Sequence, residues 1–246
     1  MIYFKKDLLN YIYIHIPKTA GISIINAILN KIDSSEYLKD TWFKSICKST
    51  ITKYLYPPFH SHIPVWYINP FLKIDNVKFI SVVRNPWARM FSLFQHTMLR
   101  QEEHTIKYIS NLKLDTRHEY SPSFEIKALE EMNKIGSENL KETFKFWLFF
   151  IGRNKKLIPQ NNPNFNIIPQ NWWLYDENNS ISSCKIFKYE ALYELEEFLN
   201  LKLTKDNQNL FRSNENYKYA YTKDTIEYVA NLDKWVINKF GYKYDD

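Results

Sequence analysis

Tyr11-Ile-Tyr-Ile-His-Ile-Pro-Lys-Thr-Ala-Gly-Ile-Ser23 is the stretch on which the fold turns. Tyr11 to Ile16 is rich in β-branched and aromatic residues, the composition of a short buried strand. Pro17 to Gly21 break the run, and from Ser23 onward Ile24, Ile25, Ala27, Ile28 and Leu29 recur at helical spacing. The reading is strand, tight turn, helix. A turn of this kind offers the unpaired backbone N–H groups and the positive end of the helix dipole to an anion. Lys18 adds a full charge, Gly21 lets backbone come close to a ligand, and Thr19 and Ser23 add hydroxyls. A kinase-type phosphate loop needs Gly-Lys-Ser/Thr, whereas here the lysine precedes the only glycine of the turn, which disfavours ATP or GTP chemistry. The residues alone leave open an ordinary βα turn with an exposed lysine.

Working outward, the same unit recurs. Val77 to Val83 is a second apolar run ending at Arg84, with Asn85 as candidate N-cap and Pro86 at the first helical position. Ser183 to Tyr189 is a third strand candidate, and Glu190 opens a helix to about Leu199. Between the first two units, Tyr56-Pro-Pro-Phe-His-Ser-His-Ile-Pro64 is proline-rich and reads as a loop, so His60 and His62 are not on a helix face. Glu125 to Ile151 reads as helix, broken near Gly136 and Ser137, with Phe144, Trp147, Leu148 and Ile151 as a core stripe. Gly152 to Asn171 is a long Asn/Pro-rich connection that either shapes a cleft or lacks structure. Thr222 caps a final helix with the stripe Val229, Leu232, Val236 and Phe240, stopped by Gly241. Strands alternating with helices imply a mainly parallel sheet flanked by helices, with ligand at the carboxyl ends of the strands.

At 246 residues with only 4 glycines, the chain suits one α/β domain spanning 1–246 and argues against long flexible linkers. The net charge of +6 favours an anionic partner, and its sign alone does not choose among a nucleotide, an acidic glycan, nucleic acid or a membrane surface. The basic residues are spread along the chain with no run of five or six, so a nucleic-acid partner is disfavoured. Cys47 and Cys184 make neither a disulfide framework nor a metal-spaced pair, so no metal is expected. A reducing compartment fits, and the apolar run near the start is too short for a signal core or a membrane span. The expected location is cytoplasmic.

Ile16-Pro-Lys-Thr-Ala-Gly with Ser23 resembles the 5′-phosphosulfate loop of carbohydrate sulfotransferases that use 3′-phosphoadenylyl sulfate (PAPS), the family that includes the heparan sulfate 2-O-sulfotransferases. The resemblance implies a P-loop-NTPase-like three-layer sandwich. It also implies a second site, a strand ending in arginine with a serine eight residues later on the nucleotide's 3′-phosphate; Arg84 and Ser92 stand at that spacing. Phe59-His-Ser-His-Ile63 resembles the family's His-x-His segment, which assigns His62 as the base, with His60 positioning it or the acceptor. The resemblance thus places Lys18, Thr19, Ala20, Gly21, Ile22 and Ser23 on the 5′-phosphosulfate, with Lys18 also catalytic. It places Lys218 or Tyr219 in a segment that closes over the nucleotide. Arg89 matches the pattern too, although a helix-surface arginine more often serves as a salt-bridge partner. Where the family loop commonly reads Gly-Thr-Ser, Ile22 replaces the threonine, which keeps a backbone contact and removes a hydroxyl.

The implied activity is sulfuryl transfer from PAPS to a carbohydrate hydroxyl, releasing adenosine 3′,5′-bisphosphate, with a substrate-shaping insertion around 93–171. Two alternatives stand beside it: a phosphotransferase with a degenerate phosphate loop, and a non-catalytic binder of acidic glycans.

Overall fold

The computed structural model describes residues 2–6, 9–31, 62, 64–68, 76–95, 139–153, 167–176, 178, 180–181, 183–203 and 217–246. Among the described residues four strands form one sheet in the order β1 (Ile2–Lys6), β2 (Leu9–Ile14), β3 (Val77–Val83) and β4 (Cys184–Lys188). β2, β3 and β4 run parallel, and β1 lies antiparallel on the outer edge of β2. Register pairs Ile14 with Ser81 and Val83 with Lys188, so the carboxyl ends of the three parallel strands come out side by side.

Alternation along the strands divides the interior in two. Ile12, Ile14, Phe79 and Val83 face one core, while Tyr11, Tyr13, Ile80, Val82 and Phe187 face the other. On the second face lie α1 (Gly21–Lys31), through Ile24 and Ile28, and α5 (Leu192–Leu199), through Leu195 and Leu199. The first face is covered by α2 (Val65–Ile68), the helix α3 at 86–95, α4 (Leu140–Arg153), α6 (Lys223–Leu232) and α7 (Lys234–Phe240). Helices on both faces of a mainly parallel open sheet make the expected three-layer α/β sandwich. Burying each of Ile12, Ile14 and Ile80 contributes about 1.5–3 kcal/mol, which fixes the strand register that aligns the site.

Several boundaries differ from the sequence reading. β2 stops at Ile14 because Pro17 lacks an N–H and Lys18 takes a left-handed conformation, φ 68°, so His15 and Ile16 already belong to the turn. β1 was not foreseen; its two lysines hide a short strand whose Phe4 stacks on Tyr11 at 5.5 Å. The last helical stretch is two helices meeting at Asp233, whose N–H donates to the Val229 carbonyl to close α6 and whose carbonyl accepts from the Ile237 N–H to start α7. Tyr189–Ala191 forms a 3-10 turn ahead of α5. Thr222 caps α6 in a capping box with Thr225, as its position predicts, and Asn85 caps α3 through Oδ1 contacts to the N–H groups of Trp87 (3.1 Å) and Ala88 (3.2 Å). Phe144, Trp147 and Leu148 are buried on α4, the expected stripe; the 125–138 part of that reading lies outside the described residues.

Candidate active site

The turn from β2 into α1 is built on two left-handed residues, Lys18 (φ 68°) and Ala20 (φ 66°), flanking Thr19. Alternating conformations of this kind turn successive N–H groups toward one concavity, an anion-binding nest. Ala20 accepts the first helical hydrogen bond from Ile24 (3.1 Å), so the N–H groups of Gly21, Ile22 and Ser23 form the first turn of α1, which has no partners within the helix. Thr19 is fully buried and donates its hydroxyl to the Ile16 carbonyl (2.8 Å), pinning the turn from inside. Ile22 is 57% exposed at the rim.

Gly21 is required for packing. A Cβ there would lie 1.8 Å from the His15 ring, which fills the space beneath the turn. His15 in turn supports His62: the two rings are 4.1 Å apart, and His62 Nδ1 lies 2.9 Å from the His15 carbonyl oxygen. A carbonyl only accepts, so Nδ1 carries the proton and the neutral ring keeps its lone pair on Nε2. Burial pushes the His62 imidazole down to about 4; the charges of Lys18 and Arg89 act in the same direction, and the bond to His15 opposes them. His62 is therefore neutral at pH 7. His60 lies outside the described residues.

The second cradle opens where β3 passes into α3. Arg84 is 8% exposed and its guanidinium stacks on the Tyr189 ring at 4.4 Å, with Nη1 donating to the Lys18 carbonyl at 3.3 Å. The two strand-to-helix turns are thus in direct contact. Burial acts against the charge of Arg84, and Glu190 counters it. Glu190 accepts the Asn85 N–H (2.9 Å) and the Tyr242 hydroxyl (2.6 Å). Ser92 is buried on α3, about two turns beyond Asn85 and by helical period on the same side.

Beneath both cradles, Gln170 of the 3-10 turn Gln170–Leu174 accepts the Arg84 N–H and donates to the Arg84 carbonyl, each at 2.9 Å. Asp233 accepts from the Gln170 backbone (2.7 Å) and side chain (3.2 Å). Arg89 pairs with Asp233 at 3.6 Å and donates to the carbonyls of Pro17 and Ile168, both at 3.1 Å. Arg89 is thus the salt-bridge partner its position suggested, though inside the protein and not on its surface. Lys218 donates to the Asp245 carbonyl (2.7 Å) and Tyr219 is 66% exposed, while their neighbour Tyr217 contributes to the electrostatic surroundings of Arg84.

A family model described as the sulfotransferase family matches residues 2–240, nearly the whole chain. The chain belongs to the type 2 sulfotransferase family. It is therefore a sulfotransferase, and the phosphotransferase and non-catalytic alternatives are set aside. No curated protein and no solved structure matches it. In this sulfotransferase no described helix is long and apolar enough to cross a membrane, and no group of three or more His, Cys, Asp and Glu among the described residues could hold a metal ion. Sequence reasoning missed the supporting residues His15, Tyr189, Glu190, Asp233 and Tyr242. No local pattern signals them, because each gains its role from what it meets across the chain.

Proposed function

We propose that this sulfotransferase takes its sulfuryl group from PAPS and delivers it to a carbohydrate hydroxyl. The observation that carries the reading is the contact between the two cradles, Arg84 Nη1 to the Lys18 carbonyl at 3.3 Å, with His62 against the first of them. One nucleotide with phosphates at both ends of its ribose suits such a pair of anion sites. PAPS would supply the activated sulfuryl group and a phosphate leaving group.

The nest at 18–20 and the first turn of α1 hold the 5′ end, using N–H groups of Thr19, Ala20, Gly21, Ile22 and Ser23. Arg84 presents its planar donor fork to the 3′-phosphate, joined by Ser92, and burial of the cation makes a bound anion favourable there. His62 Nε2 takes the proton from the acceptor hydroxyl as the oxygen–sulfur bond to the acceptor forms and the bond from sulfur to the bridging phosphate oxygen breaks. Lys18 stabilises the charge that collects on that oxygen, and adenosine 3′,5′-bisphosphate leaves. His60, Lys218 and Tyr219 complete the site in this reading, the first beside the acceptor and the others over the nucleotide.

A carbohydrate acceptor is what the motifs' resemblance implies, and the outer side of the 3-10 turn offers a surface of compatible chemistry. Trp173 points inward, its ring 6.1 Å from His62, while Asn171, Trp172 and Tyr175 join Lys234, Trp235 and Asn238 around a groove of about 490 Å³. Aromatic faces beside amides suit the apolar faces and hydroxyls of a sugar, and the lysine suits an acidic one. The chain acts as one domain, with 93–171 shaping the acceptor side, and a chain with two cysteines suits the cytoplasm.

The test is transfer of labelled sulfate from PAPS to a panel of neutral and acidic glycans, with simple alcohols as controls. Label on a glycan supports the reading, and label only on non-sugar alcohols removes the carbohydrate assignment. No transfer from PAPS, with ATP binding as well as adenosine 3′,5′-bisphosphate, removes the donor assignment.

A further inference from the structure

We infer that Arg89, Asp233 and Gln170 are positioning residues that set the spacing between the two anion cradles, and so select a nucleotide phosphorylated at both ends. The inference rests on the donor reading above.

All three side chains are fully buried, out of contact with solvent. Each contacts a different part of the site. Arg89 holds the Pro17 carbonyl, one residue before the left-handed Lys18 that begins the nest. Gln170 bonds both the N–H and the carbonyl of Arg84 with a single amide, fixing the peptide from which the guanidinium extends. Asp233 joins the two, accepting from Gln170 with both oxygens and pairing with Arg89. Arg89 also holds the Ile168 carbonyl, two residues before Gln170, so the segment carrying Gln170 cannot slide relative to the nest.

Burying two charged groups is costly unless they are paired and their other donors and acceptors are hydrogen-bonded, and hydrophobic replacement often stabilises such sites. Here the charged pair does what apolar packing cannot: it bonds to three specified backbone positions in two separate loops. Directional bonds fix separations to fractions of an ångström, whereas apolar contacts tolerate sliding. A ligand touching one cradle binds that cradle wherever it lies. A ligand bridging both is sensitive to their separation.

The experiment measures binding of adenosine 3′,5′-bisphosphate, adenosine 5′-phosphate and adenosine 3′-phosphate to the whole protein by calorimetry. Gln170→Met keeps the buried volume and removes the amide. The expected result is a loss of at least about tenfold for the bisphosphate and less than about threefold for either monophosphate. A merely structural role would reduce the folded fraction and weaken all three ligands by one common factor, and that pattern, or an unchanged bisphosphate affinity, overturns the inference. Arg89→Lys keeps a cation for Asp233 but cannot span the two carbonyls; it should give the same pattern and serves if Gln170→Met does not fold. If the unaltered protein binds the bisphosphate no better than the monophosphates, the donor reading fails and this inference falls with it.

Discussion

The ionisation of His62 gives the sharpest test of the site. An unperturbed imidazole titrates near 6.5, and burial among the cations Lys18 and Arg89 pushes this one down to about 4. The free enzyme should therefore keep its base down to about pH 5, and kcat/KM should fall only below that, more than one unit lower than for an exposed histidine. A bound phosphosulfate brings negative charge beside Lys18, so the acid limb of kcat should lie above that of kcat/KM. The same shift sets a stability term. The folded pKa is the lower one, so between about 4 and 6.5 the unfolded chain binds more protons; stability is full above pH 6.5 and is lost as pH falls toward 4, by up to about 3 kcal/mol. Initial rates of sulfate transfer from PAPS across this range give the first profile, and thermal melts at the same pH values give the second. His62→Ala should cut turnover by about 10²–10⁴-fold and flatten the histidine part of the melting profile. An inflection of kcat/KM at pH 6.5 or above that disappears in His62→Ala would show an imidazole bathed in water, and the base assignment as argued would be refuted.

Other substitutions probe the supports. Gly21→Ala drives a methyl to 1.8 Å from the buried His15 ring, which is packed between Tyr13 and His62; about 1–3 kcal/mol of stability should be lost along with most transfer, read by thermal melts and initial rates. Tyr189→Leu removes the ring under the Arg84 guanidinium and should weaken adenosine 3′,5′-bisphosphate by about 0.5–2 kcal/mol in calorimetry, with a much smaller change for adenosine 5′-phosphate. Asn85→Ala deletes the cap of α3 and the bond from the Asn85 amide to the Lys243 carbonyl (3.0 Å), lowering stability by about 1 kcal/mol in a denaturant titration.

Much of the fold was legible because the deciding signals are local. Val77 to Val83 has the length and composition of a buried strand, and Asn85-Pro86 announces the helix behind it; the structure begins and ends the strand there and opens the helix at Pro86. β1 was not legible, because Ile2–Lys6 is a strand only by virtue of pairing with β2, and its polar half gives no period of its own. The break at Asp233 was equally hidden. The apolar stripe of α6 and α7 continues through it, with Val229 and Val236 both buried, and only the distant partners Gln170 and Arg89 explain a carboxylate in that position.

The site divides in the same way. Lys18, Arg84 and His62 could be named as candidates because their motifs resemble those of a known family and each residue type brings charge or proton exchange to its motif. What holds them could not, since a supporting residue is defined by what it meets across the chain: Gln170 reaches Arg84 across 86 positions, and Arg89 reaches Pro17 across 72. Arg89 shows the difference most clearly. Its sequence neighbourhood is a helix that opens with the Asn85 cap, where an arginine ordinarily faces water. In the folded chain that helix lies under the nest, so the same guanidinium becomes fully buried, donating to two carbonyls and pairing with a carboxylate. Candidate residues are thus suggested by motifs that resemble a known family, and the precision of their placement is a property of contacts between distant segments.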